Sequence, residues 1–166
     1  GSTALSGGIV YASGTSVQKK AGINDSPEGM YKYWMAVNNN LVEPEVARYL
    51  AENSADAVEW LIGLGVEFPP ESLYLSGLEE QFASETPPVK RGHCAVGRGG
   101  GIMKAHVEAV KERNIEVLYR VSAERLITGS KGEVIGILAK DKDGKKIYIQ
   151  AKRGVVIASG GIARSK

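Results

Sequence analysis

Apolar residues are spaced along this chain with two different periods. Met30, Tyr33, Trp34 and Val37 fall at i, i+3, i+4 and i+7, one face of a helix. Ser26 is placed to cap that helix, with Pro27 at its first position, Glu28 in its first turn and three asparagines from Asn38 at its end. A second helix is predicted from Pro44, with Val46, Tyr49 and Leu50 on its apolar side. Asn53 or Ser54 should cap a third, burying Ala57, Val58, Leu61 and Ile62, and Gly63 and Gly65 should close it. A further helix follows "GRGGG", over about Gly101–Arg113, with Ile102, Met103, Val107 and Val110 as its stripe. The C-terminal part changes period. "AERLIT", "EVIGILAK" and "KIYIQA" alternate, with Gly132 in the first connection and Asp143-Gly144 as a hairpin signal, which predicts a three-stranded antiparallel meander. "IEVLY" before it and "GVVIAS" after it are continuous apolar runs, as in parallel strands covered on both faces.

Two stretches resist both periods. Residues 3–14, "TALSGGIVYASG", are small and Gly-rich and read as a loop packed close to something. Residues 70–98 hold three of the six prolines and little periodicity, and read as a long irregular excursion. The fold class is therefore α/β, with parallel strands, several helices and a β-meander. The chain reads as one domain over 1–166: a loop and helices over 1–69, the irregular stretch over 70–98, and helix, parallel strands and meander over 99–161.

Composition narrows the function classes. A net charge of +2 argues against a dedicated nucleic-acid or membrane-surface protein. No apolar run approaches the 18 or so residues of a membrane span. The lone cysteine, Cys94, forms no intrachain disulfide and is compatible with a reducing compartment. His93-Cys94 and His106 lack a second ligand pair and make no metal site. Glycine, 21 of 166 residues, is about twice its usual share. It clusters at Gly7-Gly8, Gly97 to Gly101 and Gly160-Gly161, where backbone must turn or approach something closely. The middle cluster precedes a helix, so it is either a flexible loop and helix start or an anion-binding helix terminus. The lysine-rich run 140–153 reads as a solvated face.

The order helix, strand, meander, strand, Gly-Gly resembles the FAD-dependent oxidoreductases of the fumarate reductase/succinate dehydrogenase flavoprotein superfamily, in the branch with soluble fumarate reductases and 3-ketosteroid dehydrogenases. "TALSGGIVYASGT", "DSPEGMYKY", "NSADAVEWLIGLGVEF" and "GEVIGILAKDKDGKKIYIQAKRGVVIASGGIA" carry the likeness. The resemblance implies FAD as cofactor, contacted by Thr3, Ala4, Ser6, Gly7 and Gly8 along the flavin. It implies further contacts from Ala123 at the adenine edge, and from Ala158, Ser159, Gly160 and Gly161 after the last strand. It implies a small-molecule substrate with an activated C=C or CH–CH bond, and no catalytic residue or metal ligand within these residues. The family's opening strand with G-x-G-x-x-G is not found, since Gly97, Gly99 and Gly101 do not fit that spacing. The chain thus resembles an internal slice of a larger flavoprotein, inactive alone, whose proton donor and substrate clamp lie beyond it. Surfaces that face the rest of such a protein would be exposed and favour a homo-oligomer. The residues alone leave a second reading open, a non-catalytic module that binds a small ligand or itself.

Overall fold

The structure is a computed structural model and describes residues 1–82 and 86–161. It divides into two compact units, Gly1–Ile115 and Glu116–Lys166.

In the first unit, a single turn α1 (Ser2–Leu5) leads into β1 (Ile9–Tyr11), so the stretch read as a loop holds a turn of helix and a short strand. The helix α2 (Ser16–Lys20) is closed by a capping box. Thr15 Oγ1 accepts from the Gln18 amide, and the Gln18 side chain accepts from the Thr15 amide. The helix α3 (Pro27–Val37) starts where its cap predicts, with Ser26 Oγ accepting from the Gly29 amide at 3.1 Å, and it buries Met30 and Tyr33.

The two helices expected after Pro44 are one, α4 (Pro44–Gly63). The side chains expected to cap a new helix turn back instead. Asn53 Nδ2 donates to the Tyr49 carbonyl and Ser54 Oγ donates to the Ala51 carbonyl, so both donate inside a continuing helix, and Ser54 Oγ also accepts from the Ser13 amide. The buried stripe is Ala47, Ala51, Ser54, Val58 and Leu61, while Val46, Tyr49 and Leu50 face solvent. Small residues at the buried positions let α4 lie close to its neighbours. Ala57, expected in the core, is exposed.

Residues 70–98 are better organised than their prolines suggest. They include two 3₁₀ turns, at Pro70–Ser72 and Glu79–Phe82, and the strand β2 (Gly92–Cys94). This strand pairs antiparallel with β1, matching Ile9 to Cys94, Val10 to His93 and Tyr11 to Gly92. The helix α5 (Arg98–Glu112) begins three residues before its expected start. Val17, Val58, Leu61, Val66, Phe68, Leu73, Ile102 and Ala105 form one apolar core, so α4, α5 and the segment between Val66 and Leu73 share their buried faces.

The second unit contains the expected meander: β3 (Ser122–Thr128), β4 (Val134–Lys140) and β5 (Lys146–Gln150), all antiparallel. The tip between β4 and β5 is longer than two residues. Asp141 Oδ1 accepts from the amides of Asp143 and Lys145, and Gly144 takes φ +83°. The runs "IEVLY" and "GVVIAS" differ from expectation, for neither forms a strand among the described residues. Tyr119 is 80% exposed, Val156 91% and Ile157 72%. A parallel strand needs a neighbour to bond along its edge, and an apolar run cannot supply one for itself.

Gly8 and Gly132 both have positive φ, but only Gly8 is packed. A Cβ on Gly8 would sit 2.5 Å from Arg98 Cα, whereas one on Gly132 would meet nothing within 4 Å. Gly132→Ala therefore costs only backbone strain, about 1 kcal/mol, and Gly8→Ala adds overpacking for a total of about 3 kcal/mol or more. Urea unfolding of the two variants checks this; equal losses would place Gly8 in open space.

Candidate functional site

The loop that the resemblance assigns to the flavin is braced against the first turn of α5. The Gly99 amide donates to the Ser6 carbonyl at 3.2 Å, and the Ala95 amide donates to the Gly8 carbonyl at 3.0 Å. Ser6 Oγ donates to the Thr3 carbonyl at 2.8 Å and accepts from the Gly8 amide at 3.3 Å. The approach is so close that a Cβ on Gly99 would lie 2.5 Å from Ser6 Oγ. Gly8 and Gly99 are therefore glycines for packing. Thr3, Ala4, Ser6 and Gly7 are exposed on the outer side of the same turn. A Cβ on Gly7 would meet only the end of the Ile9 side chain, Cδ1 at 3.3 Å. The turn is a braced, outward-facing stretch of small residues, which suits close contact with a flat ring.

Ala123 and Ala158 to Gly161 belong to the second unit. Ala123 is exposed beside a bulge between β3 and β4. Ala158, Ser159, Gly160 and Gly161 are exposed and outside regular structure, with Gly160 at φ +82°. The end of that motif, Ile162 to Lys166, lies outside the described residues.

Under the first loop runs a buried polar network that the sequence reading missed. Arg91, 1% exposed, donates from Nε and Nη2 to the two oxygens of Asp25, both at 2.8 Å. Gln18 Nε2 donates to the same carboxylate at 3.1 Å and to the Lys90 carbonyl at 2.9 Å. His93 is fully buried, with Nδ1 2.8 Å from the Arg91 carbonyl and Nε2 2.8 Å from Thr15 Oγ1. Burial pushes the His93 pKa down, against the pull of the Arg91 carbonyl. The ring is therefore neutral: Nδ1–H donates to the carbonyl, and Nε2 accepts from the Thr15 hydroxyl. Both ring nitrogens are in use, which leaves none for a metal. His106 likewise has Nδ1 on the Ile102 carbonyl, at 2.8 Å, and its ring against Trp60.

Beside β1, Tyr11 donates to buried Glu79 Oε1 at 2.7 Å. Ser76 gives Glu79 its amide and its hydroxyl, at 2.8 and 2.9 Å, and Gly77 gives its amide at 2.9 Å. Burial alone would raise the Glu79 pKa. The donors outweigh it and hold the carboxyl at about 2, while burial and the bond to Glu79 push the Tyr11 phenol up. A carboxyl held below its unfolded value adds stability that is complete above about pH 4.5 and is lost as pH falls toward 2. We expect urea unfolding to show a loss on the order of 2 kcal/mol across that window, absent from Glu79→Gln. Parallel acid slopes for the two proteins would show that Glu79 is not stabilised as a carboxylate.

The chain is similar to several known proteins. It is 26% identical over 172 residues to the acrylate reductase flavoprotein subunit of Shewanella woodyi, covering 99% of this chain and 32% of that protein. It is 29% identical to a fumarate reductase (cytochrome) of Shewanella frigidimarina, covering 99% of this chain and 28% of the relative. The crystal structure of 3-ketosteroid-delta4-(5alpha)-dehydrogenase from Rhodococcus jostii RHA1 superposes with a TM-score of 0.85 at 31% identity, over 94% of this chain and 37% of that one. The chain thus spans about a third of the length of the proteins it matches. The family model described as FAD binding domain matches residues 1–166, and the chain belongs to that family.

Proposed function

We propose that the chain forms part of the flavin cradle of an FAD-dependent oxidoreductase that reduces or forms an activated C=C bond. The observation that carries this reading is the FAD binding domain match over the whole chain. The relatives' names add the reaction class: an acrylate reductase, a fumarate reductase and a ketosteroid dehydrogenase all act at such a bond in a small molecule. Bound FAD would supply the hydride chemistry. This chain's own part is to bind and orient. Thr3, Ala4, Ser6 and Gly7 present backbone and hydroxyls to the ring, and Gly8 fixes that turn on α5. Ala123 and Ala158 to Gly161 add contacts to the rest of the cofactor. No residue of this chain is assigned to proton transfer or to holding substrate.

A cradle without the family's G-x-G-x-x-G pyrophosphate site binds FAD weakly. The purified chain should be colourless, and added FAD should lose fluorescence in a saturable way. Gly7→Val points a side chain outward without touching the core, so it should keep the fold and weaken FAD about tenfold or more. An unchanged affinity removes Gly7 from the flavin-facing surface. A stoichiometric yellow spectrum from the chain as purified would show that it holds the whole site.

A second reading, self-association, rests on Leu118, Tyr119, Val156 and Ile157, which are exposed in the second unit. Apolar surface of this kind favours assembly. Size-exclusion chromatography at micromolar concentration should give a dimer or larger species; a monomer counts against it.

A further inference from the structure

Two apolar stripes that the core leaves uncovered meet in the first unit. Along α4 and its C-cap, Ala57, Trp60 and Leu64 recur at helical spacing, beside the stripe that this helix buries. On α5, Met103, Val107 and Val110 recur in the same way. Trp60 is 58% exposed and Val107 43%. A groove of about 270 Å³ joins the two stripes, lined by Trp60 and Leu64 on one side and by His106, Ala109 and Val110 on the other. The Trp60 and His106 rings meet there edge to face, with centroids 5.5 Å apart. Charges of opposite sign bracket this surface. Glu52 and Asp56 lie one turn apart on α4, in line with Trp60 and on its side away from α5, while Lys104 and Lys111 flank Val107 on the side of α5 away from α4. All four are exposed, and among the described residues none of them forms an ion pair. Two like charges one turn apart disfavour a helix, so a cation beside Glu52 and Asp56 relieves a cost already present.

From this pattern we infer that the groove between α4 and α5 is the interface of a two-fold dimer, with a second copy of this chain as its occupant. A two-fold axis running along the groove lays α4 of one copy on α5 of the other. The acidic edge of each copy then faces the basic edge of its partner, and both pairings form at once. A surface with acid on one edge and base on the other is thus its own complement, whereas a partner of a single charge sign is repelled at one edge. Trp60 stands near the centre, over the partner's α5 stripe. A projecting aromatic at such a place carries much of an interface's binding energy, and the charged edges steer encounter and fix the pairing. None of these residues is assigned to the flavin. All of them lie in Gly1–Ile115, so the exposed apolar residues of the second unit take no part.

Sedimentation velocity at micromolar concentration tests this. The chain should form a dimer that weakens as salt is raised. Trp60→Ala should weaken it about tenfold or more. Lys104→Glu with Lys111→Glu makes both edges acidic, and Glu52→Lys with Asp56→Lys makes both basic, so each of these double variants should sediment as a monomer. An equimolar mixture of the two should recover a heterodimer, because every edge then meets its opposite. The charge variants alter exposed side chains only, and they keep the question decidable if Trp60→Ala, which also loses the His106 contact, fails to fold. A monomeric wild-type chain would show that something other than a second copy covers the groove. A mixture that stays monomeric would show that the edges do not face each other. A dimer that survives every substitution would place self-association elsewhere, at Leu118, Tyr119, Val156 and Ile157, and leave that reading standing. Each of these three results overturns the inference.

Discussion

The first unit is organised around the Arg91–Asp25 ion pair. Removing one partner of a buried pair leaves the other charge without compensation, at a cost of about 3–5 kcal/mol. The pair therefore has to form together with the segments that carry it. Asp25 lies just before the cap of α3, and Arg91 just before β2. Gln18 joins the same carboxylate from α2, and the Arg91 carbonyl accepts from the Ala12 amide and from His93. Two neighbouring segments, at Gln18 and Asp25, are thus fixed to a third that lies 66 residues beyond Asp25. The β1–β2 register follows from this arrangement, and with it the position at which the chain leaves β1 toward Gly8.

From Gly8 outward the constraint becomes steric. Gly8 and Gly99 bring the turn and the first residues of α5 closer than any side chain would allow. The turn is then short of freedom on its inner side and bare on its outer side. That combination, rigid behind and small in front, is what close backbone contact with a planar cofactor requires. It explains why a helix start so rich in glycine serves packing here: a Cβ on Gly101 would collide with the Val96 carbonyl as one on Gly99 would with Thr3. The anion-site reading of Gly97 to Gly101 has no such support.

Much of this was legible in the sequence where a rule is local. Ser26-Pro27 marks the start of α3, and the three alternating segments mark the meander, because capping and period-two burial act within a few residues. What was not legible depends on distant partners. Asn53 and Ser54 look like caps until the helix around them is seen to continue, held by Val58 and Leu61 in the core. Arg91 and His93 sit in a proline-rich stretch where charged residues usually face water. Their burial is decided by Asp25 and Thr15, more than 60 residues away. A trace was available: Thr15-x-x-Gln18 is a capping-box pattern, and it fixes the two residues that begin the network. "GVVIAS" shows the opposite failure, an apolar run whose pairing partner is not among the described residues.

The contact proposed between the flavin and this chain lies along the outer side of the turn at Thr3 to Gly7. Backbone amide mapping during an FAD titration tests it most directly. Shifts should concentrate on Thr3 to Gly8 and the first turn of α5, and the amides of Asp25 to Gly29 should stay unmoved. Shifts centred on α3 and α4, with the turn unaffected, would contradict it.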